Sequence, residues 1–195
     1  MQATSTTDTI VTGVLTGVLS SFVASLVFIW FINRIRPIFR ISNYIARNVS
    51  GDGLVTYRVK FINKTRYRAH DIRVSLFRVT PNRAVGDHRE NDLHSFIKVP
   101  LSKEHIEFLA PFNRSKSDRD AFYAARVRVM EDMKSEWRER NTYYRLEVSG
   151  HHSISGTRWC VIKEFANANS IVDGEFYHGA DLRVDRTSPG IRPFE

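Results

Sequence analysis

A mainly β protein with one transmembrane helix is the fold class this sequence predicts. An N-terminal span should be followed by an antiparallel, immunoglobulin-like β-sandwich or small barrel. Three observations lead there. Residues Ile10 to Ile32 carry no charge and no proline. Several short runs in the remainder alternate apolar and polar residues, the signature of half-buried strands. Gly, Pro and Asn turn signals separate those runs, a pattern typical of sandwiches and barrels.

The first run reads IVTGVLTGVLSSFVASLVFIWFI. At about 1.5 Å of rise per residue it spans roughly 34 Å, enough for a hydrocarbon core of about 30 Å. Gly13, Gly17, Ser21 and Ser25 recur at every fourth position, leaving one stripe of the helix almost bare. Thr12, Thr16, Ser20 and Ala24 form an adjoining small stripe, mostly hydroxylated. Small-xxx-small spacing lets helix backbones approach closely in lipid, so the stripe points to self-association into a homo-oligomer. The competing reading is a lone anchor. The hydroxyls of Thr12, Thr16 and Ser20 suit either a water-facing pore wall or hydrogen bonds between helices.

Residues 1–9 contain Asp8 and no Lys or Arg, so the segment lacks the basic start of a secretory signal. A permanent anchor is expected. Arg34, Arg36, Arg40 and Arg47 follow the span, and no basic residue precedes it. The positive-inside rule then puts the N-terminus outside and the C-terminal part in the cytoplasm of an inner-membrane, single-pass protein. The same four arginines are expected on lipid headgroups. The lone cysteine, Cys160, agrees with a reducing compartment. The net charge of +8 suits either anionic lipid or an acidic partner such as nucleic acid.

This reading divides the chain into an extracytoplasmic N-terminus (1–9), the span (10–32), a basic juxtamembrane connector (33–49), a cytoplasmic β-sandwich (50–186) and a flexible tail (187–195). Pro37 should stop a helix. Beyond it, Ile38 to Ile45 reads either as an interfacial segment or as a first strand. Ser50-Gly51-Asp52-Gly53 is a turn signal. Strands are expected at Val55–Phe61, Ile72–Leu76, Ser95–Val99, His105–Leu109, Tyr143–Val148 and Thr157–Phe165, with a last one near Ile171–Phe176 or Leu182–Val184. Phe122–Trp137 fits both periods; we divide it into a strand to Val129 and a helical turn or two after it. Arg83–Asp92 and Asn113–Asp120 are polar and read as loops.

No phosphate loop, dinucleotide fingerprint or nucleophile elbow is present. His151 and His152 are adjacent and would point opposite ways on a strand, so they read as polar turn residues rather than joint ligands. Cys160 follows Trp159 in an apolar run and reads as a buried, inert thiol. Glu104, Glu107, Glu131 and Asp132 show no spacing specific for acid–base work. The chain is therefore expected to be non-enzymatic, with no cofactor and no metal.

A close-packing helix tied to a compact cytoplasmic domain resembles the small single-pass membrane effectors of bacterial antiphage defence, of the retron-associated or cyclic-nucleotide type. The resemblance is architectural and transfers no site. It implies an effector that breaches the membrane once its cytoplasmic domain is triggered by a protein or nucleic-acid-containing complex. The alternative is a membrane-tethered binding module. The layout also resembles that of inward-rectifier potassium channels, but their filter sequence and second membrane helix are missing.

Overall fold

The computed structural model describes residues 6–50, 52–81, 94–113, 121–137 and 141–186. It is mainly β, with one N-terminal apolar helix followed by curled sheets that form a half-barrel. The helix α1 covers Thr6–Arg34. After it come β1 (Phe39–Ile41), β2 (Ile45–Val49), β3 (Val55–Asn63), β4 (Ala69–Pro81), β5 (His94–Val99), β6 (His105–Leu109) and β7 (Ala124–Val129). A single turn of helix, α2 (Met133–Glu136), precedes β8 (Tyr143–His152), β9 (Arg158–Phe165), β10 (Ile171–Asp173), β11 (Glu175–Phe176) and β12 (Val184–Asp185).

Each main sheet is built around one long strand. In the first, β1 and β2 pair in tandem along one edge of β3, and β7 pairs along the other. In the second, β6 and β5 share one edge of β4, β8 takes the other, and β9 lies beyond β8. Alternation along β3 and β4 sends Val59 and Phe61 of one sheet, and Ile72, Val74 and Leu76 of the other, into a shared core where all are fully buried. Val127, Leu146 and Val148 complete it. Each such side chain contributes about 1.5–3 kcal/mol relative to its exposed state.

Three expectations are corrected. The β-domain includes residues before 50: Phe39, Ile41 and Ile45 belong to the core, and β1 and β2 both lie within the expected connector. The pairing is not purely antiparallel, because β10 runs parallel to β2. At the C-terminal end both alternatives pair, Ile171–Asp173 with β2 and Glu175–Phe176 with Val184–Asp185. The division of Phe122–Trp137 holds, with Asp132 capping α2 through the Lys134 amide. Residues 83–92, 114–120 and 187–195, read above as loops and a tail, lie outside the described residues.

Two local features shape the second sheet. On β4, Asp71 and Ile72 together oppose Gly150 of β8, a bulge that puts Asp71 at a φ of 46°. Opposite the bulge, a Cβ on Gly150 would stand 2.9 Å from Phe39 Cζ and 3.2 Å from Ile72 Cγ1. A methyl there would force the Phe39 ring to shift. On the first sheet the outer face of β3 is covered by the C-terminal segment. Fully buried Lys60 donates from Nζ to the carbonyls of Tyr177 at 2.6 Å and Asp181 at 2.7 Å, and Ser42 Oγ donates to that of Leu182.

Candidate membrane site at the helix and its joint

The span Ile10–Ile32 has a mean hydropathy of 2.2, and none of it is buried against the β-domain. Leu15, Leu19, Phe22 and Trp30 are all exposed. A long helix with an uncovered apolar surface all round is unstable in water and suited to lipid. On this helix the small-residue stripe is open: a Cβ built on Gly13 or Gly17 meets nothing within 4 Å. The structure therefore brings Gly13, Gly17, Ser21 and Ser25 to one bare strip, and among the described residues nothing packs on its two glycines.

The hydroxyls are satisfied locally. Thr16 donates to the Thr12 carbonyl at 2.8 Å, Ser20 to Thr16, Ser21 to Gly17 and Ser25 to Ser21, each one turn back. This is how Ser and Thr hide their donors inside an apolar helix. The stripe needs no water-filled lumen for its protons, while each oxygen keeps acceptor capacity toward a neighbouring helix.

The four arginines separate into different roles. Arg34 lies over the Trp30 ring at 5.8 Å, at the span's end. Arg36 stacks on Trp159 of β9, 4.1 Å from the ring centroid. Arg40 is exposed on β1. Arg47 departs from expectation: its guanidinium donates to Asp173 at 2.8 Å, and its side chain is only 23% exposed. It ties β2 to β10 instead of reaching headgroups, because the segment that carries it is a strand inside the domain.

Sequence reasoning missed the joint itself. The Ile35 amide still bonds back to the Ile32 carbonyl, and Pro37, now buried, ends the helix two residues later. Ser155, in the β8–β9 turn, donates to the Ile35 carbonyl at 2.7 Å. The Lys64 amide donates to Ile38. The turn is held by His152, whose Nδ1 accepts from the amides of Ile154 and Ser155. Burial pushes the pKa of His152 down, which keeps that nitrogen an acceptor. Nothing in local sequence signals the tie from Ser155 to Ile35, which joins residues 120 positions apart.

The remaining polar candidates fall elsewhere. His151 and His152 do point to opposite sides of β8, one half-buried and one buried, but as strand residues rather than turn residues. Asp71, at the bulge, faces His105 Nε2 at 3.0 Å, His151 Nε2 at 3.6 Å and Arg73 at 3.6 Å. Partial desolvation raises its pKa, but Arg73 and the two imidazoles outweigh that and hold it below the usual carboxylate range. Among the described residues no group of three or more His, Cys, Asp and Glu side chains could hold a metal. Cys160 is exposed, contrary to expectation. Partial desolvation and nearby Glu147 push its thiol up, so it stays protonated. No model of a known protein family matches this chain, and no curated protein is similar to it in sequence.

Proposed function

We propose that this protein is a single-pass membrane effector. The helix α1 crosses the inner membrane with its N-terminus outside and associates with other copies through Gly13, Gly17, Ser21 and Ser25. The cytoplasmic β-domain receives a cue from a protein or nucleic-acid-containing complex, and the assembly then permeabilises or disrupts the bilayer. The antiphage effectors it resembles supply the biological setting. One observation carries this reading: a span wholly uncovered by its own domain, with a bare strip that a passive anchor does not need.

The test is Gly17→Ile. The substitution holds helix backbones apart while raising hydropathy, so insertion should persist. Crosslinking in membranes should show loss of the oligomer, and a membrane-potential dye should show loss of depolarisation on overexpression. Val18→Ile, on another face, should behave as the parent. A second reading, a tether that holds a partner at the inner leaflet, is favoured by the local satisfaction of the hydroxyls of Thr16, Ser20, Ser21 and Ser25. It becomes the better one if Gly17→Ile assembles and acts like the parent, or if overexpression leaves the membrane potential intact.

A further inference from the structure

The β3–β4 loop and the β8–β9 turn share one end of the domain with the helix exit, and together they form a basic and apolar rim. Both are tied to that exit. Ser155 of the turn bonds to Ile35, Lys64 of the loop bonds to Ile38, and the Ser153 amide bonds to the Arg68 carbonyl, linking turn to loop. Tyr67 meets the buried His152 ring edge-on at 5.1 Å.

Depth follows from chain geometry, on the reading that α1 spans the bilayer. Ile35 lies three residues beyond Ile32, about 4.5 Å further along a helix. The headgroup layer is about 5–8 Å deep on each side. Ser155 and its neighbours therefore stand within reach of that layer. Ile38 is at most about 10 Å further by chain length, so the Lys64 backbone lies no more than about 15 Å past the end of the span.

What the rim presents matches this depth. Ile154, at the tip of the turn, is 63% exposed, an apolar side chain unfavourable in water and suited to the acyl boundary. Tyr67 is 46% exposed, with an amphipathic ring of the kind found at headgroup level. Lys64, Arg66 and Arg68 are exposed beside it. Lys64 Nζ rests over Phe112 at 4.5 Å and Arg68 Cζ over Phe108 at 5.0 Å, cation–π contacts that hold both charged heads at the surface of the rim without neutralising them. The loop is also preformed. Asn63 accepts from the Thr65 amide at 3.0 Å and donates to the carbonyls of Tyr67 and Ala110, and the Phe112 amide donates to that of Thr65. Asp71, the acidic residue next along β4, is occupied by Arg73, His105 and His151.

We infer that this rim is a second membrane contact: Lys64, Arg66 and Arg68 bind the headgroups of anionic lipid while Ile154 and Tyr67 enter the interface, seating the domain flat on the leaflet that α1 leaves. Each basic residue near an anionic surface contributes about fivefold to binding, so the three together contribute about a hundredfold.

The test uses the full chain reconstituted in vesicles, with Cys160→Ser and one fluorophore on an introduced cysteine. Labels go at Ser153→Cys on the rim, at Asp52→Cys in the β2–β3 turn at the other end of β3, and at Leu19→Cys within the span. Phosphatidylcholine with a headgroup nitroxide should quench position 153 well above position 52 when phosphatidylglycerol is present. Lys64→Gln, Arg66→Gln and Arg68→Gln combined, or high salt, should reduce that quenching to its level in phosphatidylcholine alone. Equal quenching at positions 153 and 52, or equal quenching with and without phosphatidylglycerol, overturns the proposal. Loss of quenching on adding RNA also overturns it, making nucleic acid the preferred occupant. Acyl-chain nitroxide must quench position 19; failure there sinks the spanning reading, and the rim proposal with it.

Discussion

Single atoms decide two features of the second sheet. At Gly150 the missing Cβ leaves room for Phe39, so β1 can lie across the bulge. Gly150→Ala should overpack this contact and destabilise the β-domain by about 1–3 kcal/mol, read as a lowered denaturant midpoint in detergent. At His152 the deciding feature is a lone pair. Its folded pKa lies below the unfolded value of 6.5, so below that value the unfolded chain takes up a proton that the native state resists. Stability is therefore full above about pH 6.5 and is lost as pH falls through the folded pKa. His152→Asn keeps an acceptor near Nδ1 without the titration, and its melting temperature should be flatter across this window. Asp71 acts in a lower window: its depressed pKa contributes stability above the ordinary carboxylate value, lost as pH falls through the folded one. Neither feature was legible in the sequence. The close approach of Phe39 to Gly150 joins distant residues, and a histidine's tautomer depends on neighbours that only the hairpin supplies.

Among the elements, strands with one buried face were legible because their period is written in side chains: Val55, Tyr57, Val59 and Phe61 alternate with polar partners, and so do Ile72, Val74 and Leu76. The two shortest N-terminal strands were not. Arginines at positions 36, 40 and 47 beside isoleucines mimic an interfacial segment, and only pairing with β3 shows that Phe39, Ile41 and Ile45 face a core. The parallel partnership of β10 with β2 joins residues more than 120 positions apart, beyond the reach of any local pattern. The C-terminal segment that covers β3 illustrates the same limit: Lys60 is a polar residue in the alternating run Val55–Phe61, yet it is fully buried. Lys60→Met should leave the Tyr177 and Asp181 carbonyls without that donor, at about 1–3 kcal/mol. Faster amide exchange across residues 174–186, with the β4–β8 pairing unchanged, is the expected result.

For the whole molecule, the distribution of basic residues around α1 sets the expected orientation, four arginines after the span and none before it. A reporter fused at the C-terminus should be active in its cytoplasmic form and silent in its periplasmic form; the reverse would invert the topology. The candidate site was half legible. The stripe of Gly13, Gly17, Ser21 and Ser25 is a local pattern and could be read directly. The joint that gives it direction is made by distant residues and could not.

That joint has a stereochemical consequence. The bond from Ser155 to Ile35 and the stacking of Arg36 on Trp159 hold α1 as a key holds a shaft, so the helix does not swivel freely beneath its domain. Successive residues of a helix differ in direction by about 100°, and choosing another contact stripe would turn the shaft by a similar angle. Whichever way the bare strip faces in the bilayer, one fixed flank of the β-domain faces with it. In the proposed assembly, helices that meet at Gly17 would bring those same flanks together, and its symmetry would be set by the four residues Ile35, Arg36, Ser155 and Trp159.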